Sequence, residues 1–175
     1  MFLSSLGSSD SRFKSLEFTS GLNILVADRT ESSAQGDSRN SVGKTSFIKI
    51  MRYVMGGDLP PEFKAPELAS HSFYVKLVLP SPDGAAEEEV TVTRPVSPTT
   101  RVQISGWSVV TERQPIPVEE WRALQAEHLF RIPDDTARPT PGQLWGQLVR
   151  TFFGTPTKVY QVEADWESGV RIGHL

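Results

Sequence analysis

Residues 38–45 read Ser-Arg-Asn-Ser-Val-Gly-Lys-Thr, between an apolar run, Leu22 to Ala27, and an apolar stretch, Phe47 to Met55. A buried strand, a glycine-containing loop and an amphipathic helix in that order are the layout of a phosphate-binding loop. The residue types follow from the chemistry. The first N–H groups of a helix have no partner within it and favour an anion. Successive N–H groups around Val42 and Gly43 deepen that site into a nest for phosphate oxygens. Gly43 gives the chain a shape that a side chain would obstruct. Lys44 brings a point charge to the β- and γ-phosphates, and the Thr45 hydroxyl ligates the magnesium that accompanies them. A Gly-Lys-Thr tripeptide alone is a weak signal that a surface turn also produces; the flanking apolar segments give it weight. One fixed position departs from G-x-x-x-x-G-K-[ST], with Ser38 where the first glycine belongs. The candidate site is therefore Ser38, Arg39, Asn40, Ser41, Val42, Gly43, Lys44, Thr45 and Ser46, with ATP and Mg2+ as cofactors and Thr45 as the metal ligand.

The rest of the chain narrows the alternatives. Its 175 residues suffice for one domain with a sizeable core. A net charge of −3 gives no overall basic excess to argue for nucleic acid. There is no cysteine, which excludes disulfides and thiolate metal sites. His71, His128 and His174 are scattered without metal-ligand spacing. No apolar run approaches the ~20 residues of a membrane span, and no basic start leads into a long apolar core. No membrane association and a cytoplasmic location are the resulting expectations.

Along the chain, the Ser-rich residues 1–10 read as loosely ordered. Arg12 to Phe18 and Leu22 to Ala27 read as strands, separated by the Ser20-Gly21 turn. Residues 28–37 form a polar insertion before the loop. A helix from Lys44 carries apolar residues at 47, 48, 50, 51, 54 and 55, a broad buried face that ends at Gly56-Gly57. After a proline-rich linker, Ser72 to Leu79, Val90 to Val96 and Arg101 to Ile104 read as an antiparallel meander, with Val109 to Thr111 as a short extension. Pro117 to Phe130 and Pro141 to Phe153 read as helices. Lys158 to Val162 and Val170 to Ile172 fit either class.

Four segments stand in order: Phe13-Lys14-Ser15-Leu16, Gly21-Leu22-Asn23-Ile24-Leu25-Val26, Asn40-Ser41-Val42-Gly43-Lys44-Thr45 and Arg52-Tyr53-Val54-Met55-Gly56. Together they resemble the amino-terminal head segment of SMC-like ABC-type ATPases, the group of chromosome-maintenance, RecN and SbcC proteins. Those heads run F-K-S-F, then G-L-N-x-I-V, then G-x-N-G-x-G-K-S, then a helix closing on an apolar pair and glycine. The nearest likeness is to a bacterial subfamily whose loop reads D-S-R-N-x-x-G-K-[ST], and Asp37 to Thr45 fits that form. The motifs cover residues 12–57; the remainder is alike only in the order of elements. The resemblance implies an α/β P-loop NTPase N-lobe: a mixed sheet with an antiparallel meander and a few helices, incomplete relative to a full head. All 175 residues form one ATP-binding lobe in this reading. Its partners are a C-lobe or second ATPase head, in the same or a separate chain, and DNA in the assembled complex. The biological setting it implies is DNA repair, chromosome maintenance or phage defence.

The C-lobe elements of such heads have only faint counterparts here. Leu22 to Asp28 superficially matches an acidic metal-binding strand but precedes the loop. Thr140-Pro141-Gly142-Gln143 faintly resembles the L-S-G-G-Q signature without its leading apolar residue and serine. No heptad pattern extends over three turns. The chain alone is thus expected to hydrolyse ATP slowly or not at all. Gln143 and Gln147 lie where the family places its magnesium- and water-contacting glutamine. Arg39 fits a phosphate contact or a solvated loop charge equally, Asn40 a loop-closing hydrogen bond, and Asp37 a bond to its own insertion or a place near magnesium. Lys49 and Arg52 read as a solvated helix face, and the tryptophans at 107, 121, 145 and 166 as core. Two rivals remain: a self-contained small P-loop phosphotransferase, and a non-enzymatic interaction module whose loop has lost two family glycines at Ser38 and Ser41.

Overall fold

The computed structural model describes residues 1–19, 21, 23, 44–110, 114–132, 139–148, 160–165 and 169–174. The protein is mixed α/β, built on a six-stranded sheet in which every described pair is antiparallel. Its strands are β1 (Phe2–Ser8), β2 (Leu16–Glu17), β3 (Ser72–Pro80), β4 (Glu87–Pro95), β5 (Arg101–Ser105) and β6 (Ile116–Pro117), in spatial order β2-β1-β3-β4-β5-β6.

The meander β3–β5 follows directly from period-two alternation. Phe73, Val75, Leu77 and Leu79 of β3 face inward, as do Val90 and Val92 of β4 and Val102 and Ile104 of β5. Register brings Val75 opposite Val92, Leu77 opposite Val90 and Ile104 opposite Val92, so one face is continuous and apolar. The alternate positions are polar or half-exposed, as in an antiparallel sheet with one wet face.

The helix α1 (Lys44–Val54) packs on β3 and β4, burying Ile50, Tyr53 and Val54 completely. Gly56, at φ +99°, ends it: its N–H bonds the Tyr53 carbonyl, and the Gly57 N–H bonds that of Arg52. The helix α2 (Val118–Leu124) packs on β5 and β6 and runs into a π-helical turn, Gln125–Leu129, closed by the Phe130 N–H on the Gln125 carbonyl. α3 (Pro141–Leu148) rests against α1. β7 (Tyr160–Asp165) and β8 (Gly169–His174) form a separate antiparallel hairpin, so the described parts of the two ambiguous segments are strands; residues 158 and 159 lie outside the described residues.

Three expectations are corrected. The Ser-rich start is not loose: it is β1, paired with both β2 and β3. Its serines are compatible with a strand because their hydroxyls have partners, Ser4 on the Lys76 carbonyl, Ser5 on Glu17 and Ser8 on the Ser72 carbonyl. The strand expected over Arg12 to Phe18 shrinks to Leu16–Glu17, because Asp10 turns the chain; its carbonyl accepts the Phe13 N–H and its carboxylate the Arg12 N–H. Val109 and Val110 belong to a turn closed on the Trp107 carbonyl rather than to a strand extension. The expected strand Leu22 to Ala27 (apart from Asn23), the insertion 28–37 and the end of the helix expected to reach Phe153 lie outside the described residues.

Candidate functional site

The described part of α1 begins at Lys44, the lysine of Gly-Lys-Thr. Ser38, Arg39, Asn40, Ser41, Val42 and Gly43 lie outside the described residues, as does the Lys44 side chain. Thr45 and Ser46 are half-buried in the first turn of α1. That turn carries no acidic residue. Backbone N–H groups in the first turn of a helix favour an anion, and no carboxylate within this turn competes with one.

Aromatic contacts fix the direction of this first turn. Phe47 meets Phe13 edge-on at 5.3 Å, Phe13 meets Phe73 of β3 at 5.9 Å, and Phe63 meets Phe73 at 5.5 Å. Phe13 is held in turn by the Asp10 corner, where the carboxylate accepts Arg12 Nε at 3.1 Å and Nη2 at 2.6 Å, with His71 Nε2 at 3.5 Å. The Arg12 side-chain hydrogen bonds hold the Asp10 carboxyl well below the ordinary carboxylate range.

The far end of α1 is held by four side chains on its last carbonyls. Arg94 Nη1 donates to the Tyr53 carbonyl and, at 2.6 Å, to that of Gly57; its Nε and Nη2 reach the Thr99 carbonyl at 3.0 and 2.6 Å. Its guanidinium carbon lies 4.0 Å from the centre of the Tyr53 ring. Trp121 Nε1 donates to the Val54 carbonyl at 3.1 Å, Gln125 Nε2 to that of Met55 at 3.2 Å, and Arg122 Nε to that of Gly56 at 2.8 Å. Two guanidinium groups thus stand where the helix dipole is negative. Burial lowers the Arg94 pKa and raises that of Tyr53.

Other candidates take structural roles. Gln143 closes a capping box at the start of α3: the Thr140 N–H donates to its Oε1 at 2.8 Å, and its own N–H donates to Thr140 Oγ1 at 3.3 Å. The Thr140-Pro141-Gly142-Gln143 segment is therefore a helix start with proline at its first position, which accounts for its residues without a signature-motif reading. The Gln147 side chain and Trp166 lie outside the described residues. Trp107, Trp121 and Trp145 are core, as expected; Trp107 packs edge-on against Trp121 at 6.1 Å. Lys49 and Arg52 are half-buried rather than on a solvated face, and Lys49 pairs with Glu62. Among the described residues, no group of three or more His, Asp or Glu is placed to hold a metal, and no helix is long and apolar enough to cross a membrane.

Sequence reasoning missed the Arg94 lock, although its signal was present. Arg94 continues the inward series Val90, Val92, so alternation alone places it on the core face, where a cation needs acceptors. Comparison with models of protein families, with curated proteins and with solved structures found no match.

Proposed function

We propose that the chain binds ATP with magnesium at the amino-terminal end of α1, as the N-lobe of an SMC-like ATPase. The observation that carries this reading is that Lys44, Thr45 and Ser46 lie together on the first described turn of α1, with no acidic residue in that turn. Such a turn fits a phosphate through backbone N–H groups, dipole and hydroxyls together. Thr45 would supply one oxygen to magnesium, and the phosphates and water the others. The order of the Phe-Lys-Ser, Gly-Leu-Asn and Gly-Lys-Thr segments adds the resemblance to SMC-like heads. In this reading the lobe binds nucleotide and turns it over only when a C-lobe or second head supplies the signature donors and an acidic metal ligand.

The test is a thermal melt of the whole chain against MgATP. Binding to the native state alone raises the midpoint with ligand concentration, by about 2.7 kcal/mol of stability at a hundredfold excess over Kd. Lys44→Ala should abolish the shift. No shift in the wild type would favour an interaction module without nucleotide. Steady ATP turnover by the isolated chain, lost in Lys44→Ala, would favour a self-contained phosphotransferase.

A further inference from the structure

Among the described residues, Gln125 is the one uncharged polar side chain in the core that links three helices. It is fully buried. Its Nε2 donates to the Met55 carbonyl at the end of α1, at 3.2 Å, and to the Trp121 carbonyl of α2, at 3.3 Å. Its Oε1 accepts Trp145 Nε1 of α3 at 2.6 Å. The amide orientation is dictated by this set, since two carbonyls require the donor and an indole N–H requires the acceptor. No apolar residue at this position could make these contacts.

Packing around Trp145 explains why the amide matters. An apolar cavity of about 70 Å³ lies on the sheet side of Trp145, lined also by Phe2, Leu3, Met51, Met55 and Leu77. A cleft of about 340 Å³ adjoins Trp145 towards Lys49, Arg52, Asp58 and Pro60. Met55 borders both. Side chains beside empty volume lack contacts on that side and resist sliding poorly. Beside these spaces, the directional bonds through Gln125 tie the end of α1 to Trp145 of α3 at defined atoms.

We propose that Gln125 is a positioning residue that makes α1 and α3 one cooperative unit. A constraint on α1 is then felt at α3 through the Met55 carbonyl, Gln125 and the Trp145 indole. The unit exists with or without ligand; its use by nucleotide rests on the reading of the α1 amino terminus given above.

Native-state hydrogen exchange on the full 175-residue chain tests this. In the wild type, the amides of residues 52–55 and 145–148 should open with a common dependence on denaturant. Trp145→Phe keeps an aromatic ring and deletes the N–H. It should speed exchange at residues 145–148 about tenfold while leaving residues 52–55 unchanged. Gln125→Met should speed both sets; if it does not fold, Trp145→Phe alone decides. Exchange at residues 145–148 within twofold of wild type in Trp145→Phe, or unrelated opening of the two helices in the wild type, would overturn the proposal. With MgATP, protection should reach both helices in the wild type and only α1 in Trp145→Phe; equal protection of α3 in both would also overturn it. Protection of neither helix, with the ligand-free linkage intact, would remove the nucleotide reading and leave the coupling standing.

Discussion

Arg94 is an ionised group almost wholly inside the core, and its hydrogen-bond partners are carbonyls rather than a carboxylate. That arrangement is stable only because the carbonyls of Tyr53 and Gly57 at the helix end and of Thr99 in the loop after β4 converge on it. Arg94→Met would leave those three carbonyls without their donor, and a loss of about 2–4 kcal/mol is expected in urea melts. Arg94→Lys should recover only part of this, because a point charge cannot reach all three at once. Gly106 is constrained by geometry instead. It sits at φ +82°, and a Cβ there would run into the Glu89 carbonyl oxygen. Gly106→Ala should cost about 2–4 kcal/mol, because strain at positive φ and a backbone clash add. A substitution at Gly84, at φ +71° but with nothing near its would-be Cβ, should cost less. These two glycines separate the conformational cost from the collision when their melts are compared.

At the scale of elements, α1 is held at both ends by different chemistry. Aromatic edges orient its first turn, and guanidinium, indole and amide donors hold its last. Phe13→Ala should therefore weaken MgATP binding several-fold and lower stability by about 3 kcal/mol, since Phe47 loses its support. Titration at a temperature well below the melting midpoint separates the two effects. The elements that sequence made legible are those with clean periodicity: α1, the β3–β5 meander and α2. β1 was obscured because its serines satisfy their hydroxyls through neighbouring strands, a fact no local pattern contains. The Asp10 corner was obscured because Phe13, Leu16 and Phe18 mimic strand spacing while the turn bends the chain between them. The α3 capping box was legible in Thr140 and Gln143, but the resemblance to a signature motif competed for the same residues. Of the candidate site, the placement of Thr45 and Ser46 on α1 was legible; of the side chains holding its far end, only Arg94 left a local signal, because the others arrive from α2 and the π-helical turn.

For the whole molecule, a six-stranded antiparallel sheet with α1 and α2 on one face forms a scaffold behind α1, which carries Lys44 and Thr45 in its first described turn. The described core residues lie on that face and around the far end of α1. The sheet and the described core therefore support α1 along its buried face and at its far end. On the function proposed above, the chain should bind nucleotide without turning it over. The most direct measurement is calorimetric titration of the full chain with MgATP, in parallel with Lys44→Ala. The account predicts saturable one-to-one binding that requires magnesium and is weakened at least about tenfold by the substitution, as expected for loss of a charge on phosphate. Absence of heat in the wild type under conditions where the fold is intact, or equal affinity in the two proteins, would contradict it.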